Sequence, residues 1–416
     1  MTAAEALAGR IRSAFGGAVP ARLGVAVSGG GDSVALLHLL HRGFAAGEVT
    51  LFAATVDHGL RPGSASEAAQ VAAMAAGLGI PHDTLQWRGW AGDGNLQDQA
   101  RQARYRLLAD WAGAQDLPAV ALGHTADDQA ETVLMRLGRA AGAAGLAAMP
   151  LRRTRDGVTF IRPMLGLRRA DLRGFLQEEG IAWLEDPSNE DTRFERIRLR
   201  KAMELLAPLG LTVPALAAVA ENMGQADAAL AHFTDAAAQG HVSLEAGALA
   251  IPRRHLAAQP AEIARRLLQH ALCHVSGAGY PPRRAPMLAL LEAALAGKGG
   301  TLAGCRVLNK AGRVWVCREC SAVRDLTCAP GAPWDGHWRL AGDSPEGAEI
   351  RALGPQGLKL CPDWRETGLP RQVLEASPAV WRGGRLIAAP VAGMAAGWQA
   401  KSERTLEDFR ASVLSH

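Results

Sequence analysis

The apolar run Leu23-Gly24-Val25-Ala26-Val27 leads straight into Ser28-Gly29-Gly30-Gly31-Asp32-Ser33, and that into Val34-Ala35-Leu36-Leu37-His38-Leu39-Leu40. A buried strand, a glycine loop and a helix start in immediate succession constrain this chain more than any other feature. Glycines let the backbone approach an anion closely, and the first N–H groups of the helix have no intrahelical acceptor and point at it. The helix dipole adds partial positive charge at the same place. The lysine of G-x-x-x-x-G-K-[ST] is missing, so this is not a Walker A loop. The competing reading is a tight turn with Asp32 or Ser33 as the helix N-cap. The flanking Ser, Asp and Ser favour nucleotide binding.

The stretch that follows alternates strand and helix signals. Leu23–Val27, Thr50–Val56 and Pro118–Leu122 read as strands, separated by helical patterns at Val34–Arg42, Ser66–Leu78, Gln97–Ala114 and Asp128–Leu137. This predicts an α/β fold with a doubly wound parallel sheet. Ligands in such sheets bind beyond the carboxyl ends of the strands. Each polar cluster falls there: Ser28–Ser33 after the first strand, Asp57-His58 after the second, His124–Asp128 after the third. Boundaries are expected at 1–205 for this α/β domain, 206–330 for a helical middle domain, and 331–416 for a small mixed C-terminal domain. The middle is marked by helical patterns at Pro214–Ala238, Ala261–Ser276 and Ala285–Ala296. Short apolar runs such as Arg385–Val391 mark the last part.

Composition narrows the class. With 416 residues, 48% hydrophobic and 21% charged, the chain is an ordinary globular protein of two or three domains. It has no run of 18 apolar residues and no signal-peptide pattern over Met1–Arg12, so a cytoplasmic protein with no membrane span is expected. A net charge of +4 does not by itself establish nucleic-acid binding. Positive charge is nearly all arginine, which suits bidentate phosphate contact, though the heavy Ala, Gly and Arg usage of a GC-rich genome accounts for most of this bias. All six cysteines lie at Cys273 or later. Cys317-Arg-Glu-Cys320 lacks the second pair or histidines that a zinc site wants, and it sits in a strand-like run.

Two further clusters bear on chemistry. In His124-Thr125-Ala126-Asp127-Asp128-Gln129-Ala130-Glu131, adjacent carboxylates at a strand end suit Mg²⁺ beside phosphates, while Thr125-x-x-Asp128 also matches a capping box. The second cluster, Glu185-Asp186-Pro187-Ser188-Asn189-Glu190-Asp191 followed by Arg193, Arg196, Arg198, Arg200 and Lys201, combines a turn signal with a charged helix. It also offers an arginine for the charge on a leaving pyrophosphate.

Ser28–Ser33 resembles the pyrophosphate loop (PP-loop) of ATP pyrophosphatases, which split ATP between its α- and β-phosphates. The ordered set extends the resemblance to the tRNA(Ile)-lysidine synthase family. It comprises Val56-Asp57-His58-Gly59-Leu60-Arg61, Arg101-x-x-Arg104-Tyr105, Gly123-His124-x-x-Asp127-Asp128-Gln129-Ala130-Glu131-Thr132, Arg162-Pro163 and Asp186-Pro187-Ser188-Asn189. That resemblance implies ATP and Mg²⁺ as cofactors, with a CAU-anticodon tRNA(Ile) and L-lysine as partners. The wobble cytidine is adenylated at its C2 oxygen, and lysine then displaces AMP. It implies Ser28, Gly29, Gly30, Gly31, Asp32 and Ser33 as the ATP loop, with Asp32 helping to hold metal and pyrophosphate. Asp127 is the first choice for metal or lysine activation, with Asp128 as the alternative. Arg196 matches the arginine after Asp-Pro-Ser-Asn, and Arg101, Arg104 and Arg139 are candidates for tRNA contact. Two positions depart from the family's pattern: Ile197 stands where asparagine is usual, and Ala140 where glycine is usual. A tRNA thiolase is disfavoured because no cysteine precedes Cys273, and a non-catalytic RNA-binding protein because the loop and Asp127-Asp128 are intact. The oligomeric state is left open.

Overall fold

A strand-and-helix alternation that buries both sheet faces needs helices on both sides, and the chain supplies them. The computed structural model describes residues 2–17, 19–44, 47–59, 63–88, 96–185, 195–343 and 345–414. It divides into two units, Met1–Asp227 and Ala228–His416. The first runs α1 (Ala3–Ser13), β1 (Arg22–Ala26), α2 (Gly31–Gly43), β2 (Thr50–Asp57), α3 (Ser64–Gly77), β3 (His82–Gln86), α4 (Leu96–Ala114) and β4 (Ala119–Leu122). It continues α5 (Ala126–Leu137), α6 (Ala143–Leu146), β5 (Arg152–Arg155), β6 (Val158–Ile161), α7 (Arg169–Glu178), α8 (Glu195–Leu206) and α9 (Val213–Ala238), the last crossing the division between units.

The sheet order is β3-β2-β1-β4-β6-β5, parallel except for the β5–β6 hairpin. One face is covered by α1, α2, α3 and α7, where Leu23, Val25, Leu36, Leu37, Leu40, Val71 and Phe175 share a core. The other is covered by α4, whose Tyr105, Leu108 and Ala112 pack on Ala26, Ala54, Val120 and Phe160. Each fully buried leucine contributes about 1.5–3 kcal/mol, so α2 is held firmly by Leu36, Leu37, Leu39 and Leu40, all 0% exposed. The doubly wound α/β fold is thus present. Ala26 pairs with Ala54 and with Leu122, which sets the carboxyl ends of β1, β2 and β4 side by side.

The second unit contains β7 (Ser243–Glu245), β8 (Ala248–Pro252), α10 (Arg253–Ala258), α11 (Ala261–Ser276), α12 (Arg284–Leu295), β9 (Gly300–Leu302), β10 (Cys305–Lys310) and β11 (Arg313–Arg318). The helices expected here fall where their periodicity put them. They pack on an antiparallel sheet, order β7-β8-β11-β10-β9, that the sequence reading did not anticipate. There follow α13 (Cys320–Val323), β12 (Thr327–Cys328), β13 (Trp338–Ala341), β14 (Ala348–Ala352), α14 (Gly354–Leu358), α15 (Arg371–Glu375), β15 (Pro378–Arg382), β16 (Arg385–Ala388), β17 (Gln399–Ser402) and α16 (Leu406–Leu414). Their strands form a four-stranded and a two-stranded antiparallel sheet. All six cysteines are free thiols, and burial pushes Cys305 and Cys317 up to about 12. Among the described residues no single helix is long and apolar enough to cross a membrane.

Candidate active site

β1 delivers the chain to the glycine loop, and the loop is tied internally. The Ser28 backbone N–H donates to Ser33 Oγ at 3.1 Å, and Ser33 Oγ donates to the Gly30 carbonyl at 2.9 Å. The N-cap of α2 is Gly30, with no side-chain cap bond. Neither Asp32 nor Ser33 is the cap, so the N-cap role weighed for them does not hold. Asp32 instead lies in the first turn, beside the open N–H groups of the helix. Gly29 has φ +87° and accepts a hydrogen bond from the Leu184 N–H at 2.9 Å. A Cβ there would lie 2.5 Å from Leu184 Cδ1, so conformation and close approach both require glycine. A cavity of about 210 Å³ opens beside the loop, lined by Gln70, Val71, Met74, Trp183 and Leu184 among others.

At the end of β2, Asp57 Oδ1 accepts the Gly59 N–H at 2.9 Å, and the His58 ring meets Trp87 edge-on at 5.7 Å. Burial and Arg104 lower the His58 pKa. At the end of β4, Thr125 is the N-cap of α5 and forms the expected capping box with Asp128. Asp128 Oδ2 accepts from the Thr125 N–H at 2.8 Å and from its hydroxyl at 2.9 Å. Capping accounts for Asp128 but leaves Asp127 unexplained. Burial pushes His124 down to about 3, with Asp128 opposing and Arg162, Arg104 and Arg101 reinforcing, so the ring is neutral at pH 7.

The group that joins these strand ends is Arg169, which the sequence reading did not single out. Its Nε donates to Asp32 Oδ2 at 2.9 Å and its Nη2 to Asp128 Oδ1 at 3.0 Å, while Nη1 lies 3.4 Å from Glu131 Oε1. Its backbone N–H, in the first turn of α7, donates to Asp127 Oδ2 at 2.8 Å. Arg168 Nε stands 3.4 Å from the same Asp127 oxygen. A signal was present in the sequence: two arginines at a helix start oppose its dipole and demand carboxylates nearby. Burial raises the Asp32 pKa against the pull of Arg169, with Asp128 adding to the rise. At Asp128 burial also acts upward, but Arg169, His124 and the Thr125 hydrogen bonds outweigh it and hold the carboxyl below its ordinary value.

Glu131 is 1% exposed and accepts from Arg200 Nε at 2.9 Å. Ile197 is buried, which anchors α8 and leaves Arg196 exposed, one turn before Arg200 on the same helical stripe. Arg101 is exposed, with its guanidinium 5.7 Å from the Tyr105 ring. Arg104 is half-buried, and Arg139 is exposed and paired with Glu195 at 2.6 Å. Ala140 has φ +51°, a left-handed conformation that explains why glycine is the easier residue there. Leu60, Arg61 and the segment Asp186–Asp191 with Arg193 lie outside the described residues.

For Mg²⁺ the donor chemistry fits. α7 engages Oδ2 of both Asp32 and Asp127, which leaves their Oδ1 atoms as hard oxygen donors. Among the described residues no three His, Cys, Asp or Glu side chains form a metal cage. An ion held by one or two carboxylates, with phosphate and water completing its shell, needs none.

The PP-loop domain family matches residues 4–206. A tRNA(Ile)-lysidine synthase of Ruegeria pomeroyi is 55% identical over 413 residues, 99% of each chain. The chain belongs to the tRNA(Ile)-lysidine synthase family. A second member, from Rhodopseudomonas palustris, is 45% identical over 278 residues, covering 65% of this chain and 79% of its own. Among solved structures, a U34-tRNA thiolase from Methanococcus maripaludis aligns over 54% of this chain and 78% of its own, with 15% identity and a TM-score of 0.46. Membership in the lysidine synthase family extends beyond the PP-loop domain, since the first relative spans both units.

Proposed function

We propose that this chain joins L-lysine to C2 of the wobble cytidine of a CAU-anticodon tRNA(Ile), using ATP and forming lysidine, AMP and pyrophosphate. The observation that carries the reading is the meeting of Asp32 of the glycine loop with Asp128 of α5 through Arg169, in a chain that matches a lysidine synthase from end to end.

In this reading Ser28–Ser33 cradles the ATP phosphates with backbone N–H groups, and the cytidine C2 oxygen attacks the α-phosphorus as the bond to pyrophosphate breaks. Asp32 would hold Mg²⁺, which would neutralise charge on the leaving pyrophosphate. Arg196 adds positive charge at the same place. The lysine amine then attacks C2 and AMP leaves, so the amine must give up a proton. Asp127 is the better base, because both oxygens of Asp128 are already engaged by Arg169 and Thr125, whereas α7 bonds only Oδ2 of Asp127. Neutral His124 leaves the cationic side of the site to Arg101 and Arg104, which contact tRNA with Arg139. A splayed anticodon base is what single-stranded RNA readers present to such a site. The cytoplasm is where this chemistry finds its tRNA and free lysine.

The test is direct. Incubated with Mg-ATP, labelled lysine and unmodified CAU-anticodon tRNA(Ile), the protein incorporates lysine into RNA and releases AMP. Release of ADP, or of AMP without incorporation, would overturn the reading.

A further inference from the structure

The β5–β6 hairpin carries arginines that the reading above leaves without a task. In an antiparallel pair, residues opposite each other share a face. Arg153 faces Phe160 and Arg155 faces Val158, and both partners belong to the core beneath α4. Arg152, paired with Ile161, lies on the other face and bonds the Phe15 carbonyl. Period-two alternation therefore sends Arg153 and Arg155 to the side of the sheet that α4 covers.

There they meet other arginines. Arg155 and Arg101 both lie against the Tyr105 ring, at 5.4 and 5.7 Å. Arg136, whose Nη1 is fixed by the Gly145 and Ala148 carbonyls, is close enough to Arg101, Arg139 and Arg153 for their charges to act on it. Arg101 and Arg104 in turn act on His124 at the end of β4. Arg139 pairs with Glu195 and Arg155 with Asp156, both pairs at the surface. Among the described residues no carboxylate lies in ion-pair reach of Arg101, Arg136 or Arg153. Clustered like charges at an edge strand repel one another, and an anion relieves that repulsion. Guanidinium groups suit phosphate oxygens in particular.

We propose that Arg153 and Arg155 form, with Arg101, Arg136 and Arg139, a phosphate track that leads a single-stranded RNA backbone along the hairpin to the carboxyl end of β4. The track rests on the tRNA-modifying reading and deepens it: it names the surface that positions the anticodon strand. Arg153 and Arg155 are positioning residues, since neither reaches the carboxylate cluster.

The experiment measures tRNA(Ile) affinity against salt for the full chain and its variants. R153Q/R155Q should flatten the slope of log K against log salt by about 1.4, at about 0.7 per single-strand phosphate contact, and weaken binding roughly tenfold at 0.1 M salt. R153K/R155K should restore the slope, because charge is what the track supplies. R153Q alone, at an exposed edge position, should give about half the effect. R22Q removes one charge at the opposite end of β1 and should change neither quantity. At saturating tRNA, kcat for lysine incorporation should stay within about twofold while KM for tRNA rises. An unchanged slope, an equal change in R22Q, or a loss of kcat with KM held would each overturn the track. Salt-dependent tRNA binding without lysine incorporation by the unaltered protein would sink the catalytic reading and leave the track standing.

Discussion

Arg169 shows what a single residue does in this site. Its side chain is 15% exposed and bonds Asp32 of α2 and Asp128 of α5, while its backbone N–H holds Asp127. Charge-assisted bonds of this kind are individually strong, and removing one partner of a buried set leaves the others uncompensated. Arg169→Gln should therefore lower the rate of tRNA-dependent AMP formation by about 10- to 100-fold. Binding of tRNA should stay within a few-fold, because the cationic surface is untouched. Arg169→Lys should recover part of the rate, since it restores charge without the fork. Steady-state turnover and filter binding check both; a Gln variant that turns over normally would make Arg169 merely a strut. The acids of this cluster were legible in the sequence because they stand at strand ends. Their organiser was not, because Arg169 lies 137 positions from Asp32 and 41 from Asp128, and no local pattern links them.

At the scale of elements, β1, β2, β4 and the helices between them were legible to within a few residues, because central strands and amphipathic helices write strong patterns. β3 (sequence His-Asp-Thr-Leu-Gln) and β5 (Arg-Arg-Thr-Arg) were not, because they sit at the sheet edges with much of their surface exposed. The sheet of the second unit hid behind its turns. Two-residue hairpins favour Asn-Gly or Asp-Gly, since both central residues take positive φ. The β5–β6 hairpin has Asp156-Gly157, but β7–β8, β9–β10 and β10–β11 turn on Ala246-Gly247, Ala303-Gly304 and Ala311-Gly312. The three alanines have φ of 50–52°. A left-handed alanine costs about 1–2 kcal/mol, and asparagine tolerates that region better. Ala311→Asn should accordingly stabilise the second unit by roughly 0.5–1 kcal/mol, and Ala311→Val should destabilise it. Urea unfolding followed by tryptophan fluorescence measures both, and an Asn variant of lower midpoint would contradict the turn assignment.

On the scale of the whole molecule, the two units have separate cores, and the second carries a sensitivity to acid. His274 of α11 stacks edge-on against Phe409 of α16 at 5.7 Å, with its Nε2 buried and unpartnered among the described residues. Burial pushes its pKa down to about 4, with Arg404 and His337 adding to the shift and Asp408 opposing it. His337, 3% exposed with Nδ1 at 2.8 Å from the Asp335 carbonyl, is lowered as well, chiefly by burial. Both rings are neutral in the folded unit near pH 7, whereas an unfolded histidine titrates near 6.5. On acidification the unfolded chain takes protons first. The contribution is thus complete above about pH 6.5 and is lost as the pH falls toward 4. For His274 that loss is on the order of 2–3 kcal/mol. His274→Phe keeps a ring against Phe409 and removes the titration. It should leave the urea midpoint of the second unit near that of the unaltered protein at pH 7 and raise it at pH 4.5. Carboxylates that lose their partners in acid act equally on both proteins, so the difference between the two pH values isolates the histidine. Parallel midpoints at the two pH values would mean that His274 is not buried neutral, and that the acid response of this unit belongs to His337 and the carboxylates instead.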